Sequence, residues 1–262
     1  MTQLLIYETA VPVSKARHAD CSVNTGSGYA FSRKVNSVPL MAVEFPAAAP
    51  EYAIVFAGKD GVIMPSVILG MRGNENAYLD SDDGWKATYL PAFVRRYPFV
   101  FSASDDGKTF TLCVDEAFAG FNREGRGQAL FGEDGKPTEY VDNVLKFLQE
   151  YQAQFQRTQA FCERLKELDL FEPMQATMAL PSGERLSLTG FMAIDRKKLK
   201  ALSGDALEKL ASTDELELIY LHLQSMRNFN LMRDRIAATT ETPQAAAEDA
   251  AAGAQAEAVA DA

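Results

Sequence analysis

The chain has little of what ordinarily carries chemistry. Its 262 residues include two histidines, three cysteines and one tryptophan. Cys21, Cys113 and Cys162 are odd in number, far apart and without C-x-x-C spacing, which argues against a disulfide framework and a zinc site and predicts three reduced, mostly buried thiols. Eighteen consecutive apolar residues occur nowhere. The richest window, Val38 to Ala57, is interrupted by Glu44 and Glu51 and by Pro39, Pro46 and Pro50, so no membrane span is expected. The N-terminal MTQLLIYETAVPVSKARHAD has no basic segment ahead of its apolar run, which Glu8 breaks, so a Sec leader is not expected and the signals point to the cytoplasm. Positive charge is also short: 26 Lys and Arg against 36 Asp and Glu leave a net charge of −10. That field repels phosphate backbones, and nucleic acid is not an expected partner.

Motifs for catalysis and cofactors are missing in the same way. No G-x-S-x-G elbow exists, and the lone G-x-G of Asn24-Thr25-Gly26-Ser27-Gly28 has Phe31 where a dinucleotide fingerprint needs a third glycine. No P-loop lysine follows it. No cofactor and no catalytic residue is therefore assigned, and a non-enzymatic protein is the favoured expectation.

What is present is a globular composition, 47% hydrophobic and 24% charged, that can bury a core without staples. Residues 238–262 hold Glu241, Glu248, Asp249, Glu257 and Asp261, no Lys or Arg, and almost no large apolar side chain, the composition of a disordered acidic tail. Residues 1–237 are expected to form one α+β domain, mainly β over 1–135 and mainly α over 136–237. Asp-Gly turns recur at Asp60-Gly61, Asp83-Gly84, Asp106-Gly107 and Asp134-Gly135. Two of them separate strand pairs: YAIVFA from VIMPSVILGM, and FVFSA from TFTLCV. From Pro137, placed in a first helical turn, an apolar stripe through Val141, Val144, Leu148, Tyr151, Phe155, Cys162 and Leu165 predicts one helix to about Asp169. Its expected partner is a C-terminal helix from about Asp214 to Ala237. Between them, Pro181-Ser182-Gly183-Glu184 is a hairpin turn, with Asp195 and Ser203 as N-caps of two short helices.

Each candidate site has a plainer alternative. His18, Asp20 and His222 spell the His-x-Asp plus distant His set of iron oxygenases, but His222 lies inside a predicted helix and the two parts are far apart in the chain, so no metal site is assigned. Asp80-Ser81-Asp82-Asp83-Gly84 has no glutamate at the twelfth position of a calcium loop and reads as a solvated turn. Arg123 and Arg126 belong to a surface loop. The stretch LPAFVRRYPFVFSASDDGKTFTLCVDE sets Arg95 and Arg96 among aromatics. Tyr89, Phe93 and Tyr97 fall at i, i+4 and i+8, which predicts one aromatic helical face with the arginines pointing elsewhere, between Pro91 and Pro98. A carboxylate inside the fold is the expected partner of Arg95 and Arg96. Were they an exposed pair, they would be the first candidates for a partner-binding site.

The segments VPLMAVEFPAAAPEYAIVF, ILGMRGNENAYLDSDDGWKATYLPAFVRRYPFVFS, CVDE, GFMAIDRKKLKALS and YLHLQSMRN resemble the bacterial SapC family over nearly all of residues 5–237. The most specific part is Arg-x-x-Glu-Asn at Arg72, Glu75 and Asn76 together with YLPAFVRRYPF. The resemblance implies no catalytic residues. It implies a role at a paracrystalline surface layer or the cell envelope, exercised through a protein partner, with Arg72, Glu75, Asn76, Arg95 and Arg96 as candidate ligand- or partner-binding residues. Surface location would then need a non-Sec route. The second reading is a cytoplasmic accessory or enzyme of a surface nutrient uptake or modification system. A peptide-transporter permease that shares the name would need membrane spans that this chain lacks.

Overall fold

The computed structural model describes residues 5–26, 28–59, 61–104 and 107–237. The acidic segment 238–262 and the turn residues Ser27, Asp60, Asp105 and Asp106 lie outside the described residues.

The first half runs β1 (Ala10–Pro12), α1 (Lys15–His18), β2 (Ser22–Val23), β3 (Ser37–Pro39), α2 (Phe45–Ala48), β4 (Ile54–Lys59), β5 (Val62–Ile68), α3 (Ala92–Arg95), β6 (Phe99–Ala103), β7 (Phe110–Asp115), β8 (Phe121–Asn122) and β9 (Gln128–Ala129). The second half runs α4 (Glu139–Glu167), β10 (Phe171–Ala179), β11 (Arg185–Ile194), α5 (Arg196–Lys200), α6 (Gly204–Ser212) and α7 (Glu215–Ser225), with further helix over residues 228–237. The fold is α+β. Both strand pairs predicted around Asp-Gly turns form, β4 with β5 and β6 with β7.

The main sheet has the order β10-β11-β4-β5-β3, so the C-terminal hairpin joins strands from the first half. One buried cluster accordingly takes in residues from both halves, from Ile6 to Ile236. The junction between β11 and β4 is thin, with Met192 opposite Phe56 as its only registered pair. Side chains from the C-terminal helices complete it. Ile194 N–H donates to His222 Nε2 at 3.1 Å, and His222 Nδ1–H donates to the Ile54 carbonyl at 2.8 Å. The Ile54 amide donates to Ser225 Oγ, and Asn228 Nδ2 donates to the Ala49 and Tyr52 carbonyls. Backbone groups that the short ladder leaves open are thus satisfied by α7 and the residues after it.

The long helix departs from expectation in two ways. Pro137 precedes the N-cap, Thr138, and bridges Phe131 in extended backbone, so the helix begins at Glu139 rather than with proline in its first turn. Its main packing surface is not the C-terminal helix, which it meets through the Arg164–Glu215 ion pair. α4 lies on β5, β6 and the 3-10 turn Ala42–Glu44, while α7 packs on α2, α6, β4 and β11. The reason is area: the sheet face offers Phe56, and α2 offers Phe45, both within aromatic contact of Phe161, and a wide apolar sheet takes a helix stripe as readily as another helix does. The 171–194 hairpin forms as predicted, and Asp195 and Ser203 accept amide hydrogens at the starts of α5 and α6.

Candidate functional site

A groove of about 350 Å³ opens where α4 passes the 42–48 segment and the start of α3. Its construction begins with two acids that interrupt the apolar Val38–Ala57 window. Glu44 is buried, and its Oε2 accepts the Met41 amide at 2.8 Å, closing the 3-10 turn. Its Oε1 accepts both the Ala92 amide and the Tyr89 hydroxyl at 2.7 Å, which fixes the first amide of α3. Glu51 accepts the Thr88 and Tyr89 amides. Segment 88–92 is thereby held by two carboxylates from another part of the chain. Beneath it, Trp85 Nε1 donates to the Tyr52 hydroxyl, which donates to the Tyr89 carbonyl. On the opposite wall the Ala42 amide donates to Thr158 Oγ1 at 2.9 Å, docking the turn on α4.

The lining is mostly apolar and aromatic: Met41, Val43, Ala47, Ala92, Phe147 and Tyr151, with Tyr89, Arg95, Glu150 and Gln154 adding polar atoms. Val43 is 60% exposed, more than any other large hydrophobic residue among those described. Burial, with Glu44 adding negative charge, raises the Tyr89 hydroxyl well above the usual phenol range, and burial pushes Tyr151 up to about 12. Both phenols are neutral hydrogen-bonding groups at physiological pH. The arrangement suits binding: a rigid apolar trough with fixed polar points.

The two adjacent arginines divide. Arg96 is buried, 8% exposed, and its guanidinium lies over Phe93 at 4.3 Å, Tyr151 at 4.8 Å and Tyr7 at 5.6 Å. Arg95 is exposed at the rim, over Phe147 at 5.5 Å and Tyr89 at 5.8 Å, with Nε donating to the Leu90 carbonyl at 3.0 Å. The expectation that the arginines point away from the aromatics is therefore overturned, because α3 spans only four residues and Tyr89 and Tyr97 lie outside it. In so short a turn the i+4 rule cannot sort side chains, and cation–π contact places both guanidinium groups on rings. They are not an exposed pair.

The structure does not bring Arg72, Glu75 and Asn76 to this groove. Arg72 Nη1 pairs with Glu75 at 2.6 Å and Nη2 with Glu184 at 2.7 Å, tying the loop after β5 to the β10–β11 turn. Asn76 is buried, donating to Ser32 and accepting the Tyr78 amide. The loop is close-packed: a Cβ on Gly70 would stand 2.1 Å from the Glu75 carbonyl oxygen.

His18, Asp20 and His222 are engaged in separate places. The Ser14 amide donates to His18 Nδ1, leaving the ring proton on Nε2 toward Glu116 Oε1 at 3.1 Å. Arg17 and His18 bond Glu116 and hold its carboxyl down to about 2, the Arg17 hydrogen bond being the larger cause. Asp20 pairs with Arg123. His222 spends both nitrogens on the β4–β11 junction, and burial pushes its pKa down to about 4. Among the described residues no three His, Cys, Asp or Glu side chains are grouped to hold a metal ion. The three cysteines are free and buried. Asp80 Oδ1 accepts the Asp82 and Gly84 amides, Arg33 bonds the Asp80 carbonyl and the Asp83 carboxylate, and Arg126 pairs with Glu124.

Sequence reasoning reached Arg95 and missed Glu44, Met41, Phe147, Glu150, Tyr151 and Gln154. The available signal was Glu44 itself, an isolated acid inside AVEFPAAA, where a carboxyl side chain must find several hydrogen-bond partners to be buried.

These features define an α+β protein with a preformed apolar groove carrying a cation at one rim. By comparison of sequence, residues 13–232 match the SapC family, and the chain belongs to that family. No curated protein and no solved structure matches it. Among the described residues no helix is long and apolar enough to cross a membrane.

Proposed function

We propose that this protein is a non-enzymatic interaction protein, an accessory of the surface layer or cell envelope, and that it docks a protein partner in the groove beside α4. The observation that carries this reading is the composition and rigidity of that groove. Met, Tyr, Phe and Arg are the residue types enriched at the cores of protein interfaces, and here Met41, Tyr89, Arg95, Phe147 and Tyr151 meet in one trough with Val43 exposed on its lip. Its walls are fixed before any partner arrives, by Glu44 on one side and Thr158 on the other. Prior fixation lowers the ordering cost of association. Family membership supports the envelope setting through the surface-layer association from which the family is named.

Fractionation of cells, followed with an antibody to the intact chain, tests the setting. Co-purification with the surface-layer or envelope fraction is expected. Protein confined to the cytosol would overturn it.

A further inference from the structure

Resting on the docking reading above, we infer that the groove takes a short peptide stretch of a partner protein that seats an apolar side chain in the trough and lays a carboxylate on Arg95. The charged groups of the groove differ in what the fold leaves free. Glu44 is buried and already accepts three donors from the fold. Arg96 is covered by the rings of Phe93, Tyr151 and Tyr7. Arg95 makes no ion pair among the described residues, although the half-buried Arg72, the other arginine in the most specific family segments, makes two.

Arg95 is nevertheless held still. Nε is bonded to the Leu90 carbonyl, Nη2 reaches the Tyr89 hydroxyl at 3.4 Å, and the guanidinium lies over both the Tyr89 and Phe147 rings. A free arginine loses about 2 kcal/mol of rotamer entropy on being ordered, and here the fold has already ordered it. Two of a guanidinium's five N–H donors serve those bonds, and the planar fork matches a carboxylate.

The groove also has a direction. Arg95 stands over Phe147, while Glu150 and Gln154, bonded to each other at 2.6 Å, lie further along α4. Phe147 to Gln154 spans roughly 10 Å at ~1.5 Å per residue. That is about three residues of extended chain at ~3.3 Å each. The occupant therefore carries its acid at the Phe147 end, its apolar side chain against Met41, Ala47 and Ala92, and an N–H or cationic donor toward Glu150. With a net charge of −10 on the whole chain, long-range steering opposes an acidic segment, so recognition is a contact effect at Arg95.

Random-peptide display on the intact chain tests this, with Ala47→Trp to fill the trough and Arg95→Met to remove the charge while keeping the stem. Both sites are exposed, and thermal melts matching the parent confirm folding. The expected result is a set of peptides with Asp or Glu within about three positions of a large apolar residue, whose binding falls at least tenfold in Ala47→Trp and about tenfold in Arg95→Met, with partial recovery in Arg95→Lys; tenfold corresponds to about 1.4 kcal/mol. Peptides that depend on Ala47 but show no acidic preference, or bind Arg95→Met unchanged, overturn the inference and leave the docking reading standing. Selected peptides that all ignore Ala47→Trp overturn the docking reading and the inference with it.

Discussion

Two arginines within the family motifs, Arg72 half-buried and Arg95 exposed, are treated oppositely by the fold. Arg72 is satisfied internally: Glu75 takes one side of its guanidinium, Glu184 takes another, and buried Asn76 anchors the same loop to Ser32. Arg95 is fixed as firmly, but by rings and a carbonyl rather than by acids. The first arrangement closes a loop on a hairpin and uses up its charge in doing so. The second holds a charge in place beside an apolar trough and leaves it available to a carboxylate. A distinctive motif and a candidate binding residue are thus separable: what matters is whether the fold itself consumes the group's chemistry.

The comparison can be broken most forcefully at Glu44. Glu44→Ala strands the Met41 and Ala92 amides and the Tyr89 hydroxyl, and a loss of about 3–5 kcal/mol in urea unfolding is expected. A loss below about 1 kcal/mol would mean that the groove wall is not held through this carboxylate. The next effect lies in neither region and sets the conditions for comparing them. His222 stays neutral in the folded chain down to about 4, against 6.5 when free, so between those values the unfolded chain binds the extra proton. Stability therefore falls as pH drops from 6.5 toward 4, by about 3 kcal/mol in order of magnitude, and His222→Gln removes that part of the slope. Melts at pH 7 and above keep both arginine regions clear of it. In the Arg72 region, Gly70→Ala forces a Cβ onto the Glu75 carbonyl and is expected to cost about 2 kcal/mol without altering peptide binding in the groove. Smallest are the arginines themselves. Arg72→Gln costs about 1 kcal/mol through the loss of two half-screened ion pairs, and Arg95→Gln changes stability by less than about 0.5 kcal/mol while weakening groove ligands. A larger stability loss at Arg95 than at Arg72 would reverse the comparison.

Much of the architecture was legible because it is local. Asp-Gly turns between apolar runs specify the β4–β5 and β6–β7 hairpins, the stripe from Val141 to Leu165 specifies α4, and Asp195 and Ser203 specify helix starts. What packs on α4 was not legible, since an apolar stripe fits a sheet as well as a helix and nothing in Leu216, Ile219 or Leu223 distinguishes the two. The groove was half legible. Arg95 and Tyr89 stand out in YLPAFVRRYPF, but the wall that faces them comes from Phe147 and Tyr151, more than fifty residues on, and from Glu44, forty-five residues before Tyr89. In sequence Glu44 and Glu51 stand out as isolated charges in an apolar window, but the groups they bind do not. Their work in holding residues 88–92 depends on long-range contacts that no spacing rule encodes.

Site-specific photo-crosslinking in living cells decides whether a partner meets the protein at the Arg95 groove or at the Arg72 loop. A benzophenone-bearing amino acid replaces Val43 in one strain and Glu184 in another. Docking at Arg95 gives a defined protein adduct from position 43 that disappears when Arg95→Met is added, and none from position 184. No adduct from position 43, one that persists in Arg95→Met, or one formed only from position 184 would contradict it.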